Sequence, residues 1–302
     1  VPGRGAYEAA FERAVGRSWP AEVWLDSFAR HRIESLLDRG SPVLLIGPQG
    51  CGKTVLARTM AEVDEREFVH INCSHAEESD DFSASVSPVS SGDGLAFLWR
   101  DTPMMEALEA AAADSRRRFL ICLDELNRAG RRARNALLPV LDRTRRIWNP
   151  RTAAYHPVPE TVQFVAAVNM GTRFGDTEAS DLAGLDRWGP VHIDYPTAAA
   201  EVAIIRRAAP DVTAASATRV VAAANALRKH PEWPISVSVR ATEDACRTLA
   251  GRTVRQRDAA FLTAVLRNCF CGRMDGDVAD PLSDAGRAAS ILDRFVAKDA
   301  WR

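Results

Sequence analysis

Apolar and polar positions along the chain fall into two regimes. Five short apolar runs, Val43–Ile46, Phe68–Asn72, Phe119–Leu123, Gln163–Val168 and Val191–Tyr195, stand between helical or loop segments. Unbroken apolar strands that alternate with helices predict a parallel sheet covered on both faces, the doubly wound α/β class. Residues 1–40 read as helical with an interruption at Ser18-Trp19-Pro20. Beyond Tyr195-Pro196 the strand pattern stops, and Ala, Arg, Leu and Val recur at helical spacing. Thr197 before Ala198–Ile205 has the form of a capped helix start. Three segments follow: a helical extension over 1–22, an α/β domain over 23–196, and a smaller helical domain over 197–302. Pro and Ser cluster between Ser83 and Gly94 and predict an exposed loop or insertion.

Composition changes this picture little. The 302 residues are 46% hydrophobic and 26% charged, enough for a full core without disulfide or metal staples. The net charge of −1 gives no global attraction to nucleic acid or anionic membrane, which weakens a nucleic-acid role and leaves local basic patches open. The six cysteines lack C-x-x-C spacing and read as buried thiols of a reducing cytosol. Val1–Gly16 lacks the apolar core of a signal peptide, and no run approaches the roughly 20 residues of a membrane span. These features predict a cytoplasmic protein with no membrane insertion.

The chemistry begins at Gly47-Pro48-Gln49-Gly50-Cys51-Gly52-Lys53-Thr54, which follows the first strand and opens the helical run Val55–Val63. G-x-x-x-x-G-K-[ST] between strand and helix is a phosphate cradle. Its glycines let successive N–H groups face phosphate, and the helix N-terminus adds partial positive charge. Lys53 is expected at the β- and γ-phosphates, Thr54 at Mg²⁺, and Val55 at the edge of the ATP site. Cys51 reads either as a tolerated small residue or as a thiol activated beside Lys53. Phe119–Leu123 closes on Asp124-Glu125, the Walker B pattern. Asp124 is the second metal residue, and Glu125 is placed to polarise water for attack on the γ-phosphate.

After Glu125 come Leu126-Asn127-Arg128-Ala129 and Ala136-Leu137-Leu138-Pro139-Val140-Leu141. With Trp99–Ala107 upstream, this stretch resembles the MoxR and dynein-related branch of AAA+ ATPases over roughly residues 23–245. The resemblance implies a five-stranded P-loop domain with a helical lid, and an insertion in helix 2 at Ser83–Phe97. It implies that Asn169 is sensor 1, that Arg187 is an arginine finger reaching a neighbouring subunit, and that Arg240 in Ser238-Val239-Arg240 is sensor 2. Trp188 stands where the branch mostly has Phe, and Asn169–Arg173 and Asp176–Ala179 depart from the best-known MoxR proteins, so the chain looks like a side group. The roles of Asn127 and Arg128 stay open.

An arginine finger implies sites completed between subunits, hence a homo-oligomeric ring, usually a hexamer. The leading expectation is an ATP-driven remodelling chaperone whose partner carries a von Willebrand A domain. A nucleic-acid motor or McrB-like defence NTPase is the first rival, although the "N-T-x-D-R-S" signature of the GTP-using relatives is missing. A nucleotide-gated scaffold with little turnover is the second. Arg143–Glu160 precedes the sensor 1 strand, where the branch inserts a hairpin. Arg145, Arg146, Trp148 and Arg151 would give it a basic, aromatic tip for polypeptide or nucleic acid.

Overall fold

The computed structural model describes residues 18–20, 23–91, 94–169, 186–251 and 258–298. The chain divides into two compact units. One is built from the chain up to Gly47 and from Lys53 to Ile193; the other from Pro48–Gly52 and from Asp194 onward.

In the first unit, helix α1 (Ser27–Asp38) starts where the Asp26 carboxylate accepts the Ala29 N–H at 2.9 Å. Its buried Ala29, Ile33, Leu36 and Leu37 recur at helical spacing. They form a face that packs on β1 (Val43–Gly47) and β9 (Gly189–His192). Gly189 makes that approach feasible, because a Cβ there would overlap the Leu36 side chain. Between β1 and β9 come α2 (Lys53–Val63), β2 (Glu67–Asn72), β3 (Ala84–Ser91), β4 (Gly94–Asp101), α3 (Pro103–Ala113) and β5 (Phe119–Asp124). These are followed by α4 (Arg131–Ala136), α5 (Leu138–Leu141), β6 (Arg146–Asn149), β7 (Ala154–Pro157) and β8 (Val162–Asn169).

The five apolar runs form one parallel sheet of order β2-β5-β8-β1-β9, so the expected α/β fold with a helical lid region is the one observed. The apolar runs of β5 and β8 are buried along Phe119–Leu123 and Val162–Ala167, as central parallel strands require. The edge strands differ from expectation. β2 has one neighbour, and its side chains are half-buried or exposed rather than covered on both faces. β9 runs over Gly189–His192 instead of Val191–Tyr195. It carries Pro190 because an edge position can dispense with a ladder N–H.

The Ser83–Gly94 stretch, expected as an exposed loop or an insertion, falls within a hairpin insertion. β3 and β4 pair antiparallel from Ala84↔Asp101 to Ser91↔Gly94, and the hairpin leaves Val86, Phe97, Leu98 and Trp99 exposed. β6 and β7 form a second hairpin with Ile147↔His156 and Trp148↔Tyr155 in register. Its expected basic tip is only partly exposed to solvent. Arg145 turns back to the backbone, donating to the Pro159 and Val162 carbonyls at 2.9 Å each. Arg151 is tied to Asp101, whose other partner is the fully buried Asn149 amide at 2.9 Å. Arg146 lies 4.4 Å over the Tyr155 ring, and Trp148 meets Tyr155 edge-on at 5.2 Å.

In the second unit, α6 (Ala198–Ala208), α7 (Ala214–Arg228) and α8 (Val239–Thr248) are capped by the hydroxyls of Thr197, Thr213 and Ser238. Helix α9 (Ala259–Leu266) runs into a wide turn at Arg267–Cys271, and α10 (Asp284–Lys298) follows. Buried alanines, among them Ala217, Ala223, Ala224, Ala241 and Ala245, let these helices pack closely around Ile205, Leu227 and Phe270. One ionic pair sits inside this core. Glu201, 0% exposed, accepts both Nη groups of Arg228 at 2.6 and 2.9 Å and the Thr242 hydroxyl at 2.7 Å. A buried charge is tolerable only when paired and hydrogen-bonded to this degree. Glu201→Ala would strand Arg228 in an apolar core. The expected loss is about 3–5 kcal/mol of stability, to be read from denaturant unfolding of the full chain followed by circular dichroism.

Candidate functional site

Sheet register creates the site. β1 pairs Gly47 with Asn169 of β8, and β5 pairs Asp124 with Ala167 of β8. The carboxyl ends of three adjacent strands therefore lie at one edge, with β5 two residues shorter there than β8, and Lys53 and Thr54 enter from the first turn of α2. Ligands of open α/β sheets bind at such an edge.

The buried Lys53 ammonium donates to the Gly47 carbonyl at 2.9 Å and to Asn169 Oδ1 at 2.8 Å. Asp124 is the hub of a second set. Its Oδ2 accepts the Thr54 hydroxyl at 2.7 Å and lies 3.1 Å from His70 Nε2, while its Oδ1 accepts the Glu125 N–H at 3.0 Å. Glu125 itself is left-handed, with φ 55° and ψ 35°, a conformation that costs a non-glycine residue about 1–2 kcal/mol. The Asp124 carboxylate fixes its N–H, and the Arg128 N–H donates to its carbonyl at 2.8 Å. The Glu125 side chain ends 3.3 Å from the Arg128 guanidinium. Strain of this kind at a functional acid is held in place by its surroundings.

Burial pushes the Cys73 thiol up to about 12, and the carboxylates of Asp124 and Glu125 add to the effect. Cys122 is raised by burial and then by Asp124. All six cysteines are buried free thiols, Cys51 among them.

The structure thus brings Lys53, Thr54, Asp124, Glu125 and Asn169 to one sheet edge of the first unit, in two adjoining hydrogen-bonded sets. Gly47 ends β1, and Val55 is exposed on α2. Pro48, Gln49, Gly50, Cys51 and Gly52 group with the second unit, as does Arg240 in the exposed first turn of α8. There the Val239 N–H donates to the Gly50 carbonyl at 3.1 Å. Gly50 and Gly52 have φ of +70° and +101°, and a Cβ on Gly50 would overlap Ser238. Arg187 stands on the turn before β9. Asp142 is held below its ordinary range first by the Thr144 hydroxyl and backbone N–H, and further by the cations of Arg187 and Arg146. Trp188 is buried in the core of the sheet. Met170–Arg173 and Asp176–Ala179, in the departures from the best-known MoxR proteins, lie outside the described residues.

One neighbour, His70, escaped the sequence reading, and two whose roles it left open, Asn127 and Arg128, have partners at the site. His70 comes from edge strand β2, 54 positions from Asp124, and only the sheet order brings them together. Asn127 Oδ1 accepts the Asn169 N–H at 3.3 Å, while its amide nitrogen is buried without a partner among the described residues. Arg128 holds Glu125. The latter two lie within the Asp-Glu-x-Asn-Arg run, so their proximity, though not their partners, was readable.

Such an edge, with a glycine-bent strand-to-helix loop, a Lys, a Thr–Asp pair and an adjoining Glu, defines the AAA+ class of P-loop ATPase domains. Within that class, residues 42–187 are an AAA domain of the dynein-related subfamily. Uncharacterized proteins of Staphylococcus aureus strains USA300 and COL are each 28% identical over 171 residues, 56% of this chain. The chain spans 62% of the length of these curated relatives. Among solved structures, the Thermotoga maritima RuvB Holliday junction branch migration motor aligns over 81% of this chain and 70% of its own at 20% identity and TM-score 0.45. NtrX from Brucella abortus in complex with ADP aligns over 83% of this chain and 54% of its own at 16% and 0.49. No helix among the described residues is long and apolar enough to cross a membrane.

Gly50→Ala should combine left-handed strain with overlap against Ser238, lowering stability by about 1–3 kcal/mol for the overlap alone. The double change Gly50→Ala, Ser238→Gly should recover the overlap part only. Thermal melts of the full chain, arranged as a double-mutant cycle, check this.

Proposed function

We propose that the chain hydrolyses ATP at the edge formed by β1, β5 and β8, in a homo-oligomeric ring whose subunits share sites. The observation that carries this is the convergence of Thr54, Asp124, Glu125, Lys53 and Asn169. In this reading Gly47–Gly52 wrap the phosphates with backbone N–H groups, and Lys53 exchanges its Asn169 contact for the β- and γ-phosphates. The Thr54 hydroxyl and Asp124 carboxylate are hard oxygens already side by side, the donor set that suits Mg²⁺. Among the described residues no three His, Cys, Asp or Glu side chains gather to hold a metal. The Thr–Asp pair would accordingly share the ion with phosphate and water. Bound there, Mg²⁺ supplies charge neutralisation of the phosphates.

Glu125 would accept a proton from the attacking water, which requires its carboxylate to leave Arg128. Asn169, freed from Lys53, would hydrogen-bond that water or the γ-phosphate. Arg187 would act on a neighbouring subunit's γ-phosphate, and Arg240 would reach phosphate from the helical unit. A finger of this kind is worth about 10³–10⁵ in rate. Turnover would then depend on assembly, with a hexamer the expected ring. As a MoxR-like chaperone, the ring would remodel a partner protein, one with a von Willebrand A domain.

A second reading draws on the β6–β7 hairpin. Exposed Trp148 and Tyr155 beside Arg146 make a small stacking platform with a cation, a combination that suits single-stranded nucleic acid. On this reading the chain is a nucleic-acid motor.

Glu125→Gln should leave ATP binding intact and cut hydrolysis roughly 10²–10⁴-fold; unchanged turnover would remove Glu125 from the chemistry. ATPase rate per subunit should climb with protein concentration and fall when Arg187→Ala subunits are mixed in. A rate indifferent to both would count against shared sites. Single-stranded DNA should stimulate hydrolysis in a salt-sensitive, Trp148-dependent way only if the motor reading holds.

A further inference from the structure

The second unit contains a chain of contacts that ends on the phosphate loop and that the proposed chemistry does not use. Tyr195 follows β9 by three residues and donates its hydroxyl to the Gln49 carbonyl at 3.0 Å. The face of its ring is covered by the Arg228 guanidinium at 4.0 Å. Arg228 is 4% exposed; it is fixed by the bidentate Glu201 pair and by an Nε bond to the Val237 carbonyl at 2.8 Å. Two residues on, the Val239 N–H takes the Gly50 carbonyl. Consecutive carbonyls of the loop are therefore tied, one by a side chain and one by the start of α8.

Peptide planarity gives these ties a consequence. In a trans peptide the carbonyl and the following N–H point in opposite directions. Anchoring the Gln49 carbonyl on Tyr195 turns the Gly50 N–H the other way, and anchoring the Gly50 carbonyl on Val239 does the same for the Cys51 N–H. Those N–H groups are donors of the cradle. A loop whose peptide planes are set beforehand loses less entropy when it closes on an anion. Burial raises the Tyr195 phenol above its ordinary value, with the Ser236 hydroxyl and Arg228 acting in the opposite sense, so the hydroxyl keeps its proton as a donor.

We propose that Tyr195 is a positioning residue of the phosphate loop. Held by the Glu201–Arg228 pair, it orients the Gly50 amide for phosphate through the Gln49 carbonyl. This rests on the loop being a nucleotide cradle. Tyr195→Phe removes one hydroxyl and keeps the ring on Arg228, so the fold is preserved. Two measurements on the full chain separate the clamp from the cradle. The first is hydrogen exchange of the backbone peptide covering residues 48–54 without nucleotide. The second is affinity for a fluorescent ADP analogue with Mg²⁺.

The variant should exchange faster at 48–54 alone and bind ADP roughly 3- to 10-fold more weakly, the scale of one hydrogen bond. Thr218→Ala, which removes an exposed hydroxyl bonded to the Ala214 carbonyl within α7, should do neither. Wild-type exchange at 48–54 in Tyr195→Phe overturns the clamp, as does wild-type ADP affinity in a wild-type protein that binds. A wild-type chain that does not bind the ADP analogue overturns the cradle reading instead, and the exchange result still decides whether Tyr195 holds the loop. A lowered melting temperature with unchanged loop exchange would make Tyr195 a packing residue and nothing more.

Discussion

The parallel register of β5, β8 and β1 is the constraint on which the site depends. A slip of one residue would exchange the side chains that a strand directs at its two faces; both faces of β5 and β8 are packed, so their alignment is fixed by the core rather than by the site. Gly47 ends level with Asn169, and Asp124, paired with Ala167, ends two residues short of it at the same edge. From there the Lys53 ammonium can bridge Gly47 and Asn169, residues 122 positions apart in sequence (169 − 47).

Charge at this edge is arranged by sharing. Asp124 satisfies Thr54, the Glu125 backbone and His70 at once, while Lys53 bridges the Gly47 carbonyl and Asn169 Oδ1. The Glu125 side chain faces the Arg128 cation while its backbone sits in a left-handed well.

The helical unit solves a different problem. Its core is made largely of Ala, Val and Leu, and small side chains bring helices close without much area per residue. Into that core it places Glu201, Arg228 and Thr242. Such an ionic group specifies geometry more than it stabilises, because its desolvation offsets most of its attraction. The geometry it specifies is that of Tyr195 and, through the Gln49 carbonyl, of the phosphate loop.

By itself the sequence determined what is local. The loop from Gly47 to Thr54, the acid pair Asp124-Glu125, the five apolar runs and the Thr197 cap are each written in fewer than ten neighbouring residues, because hydrogen-bond ladders and caps follow from adjacent composition. The sheet itself, Asn169 at the end of its fourth apolar run and the helical lid region were legible on the same grounds, with family resemblance adding the role expected of Asn169. Tertiary structure alone decided the rest. Ser83–Gly94 read as either a loop or an insertion, because Pro88 and the serines mask a hairpin whose pairing depends on Phe97–Asp101. Arg145 looked like part of a basic tip, but its guanidinium is claimed by the Pro159 and Val162 carbonyls. His70 beside Asp124, and Tyr195 on Gln49, join positions 54 and 146 residues apart. No periodicity encodes such pairs: they form only when the strands and helices have packed and each buried polar atom must find a partner.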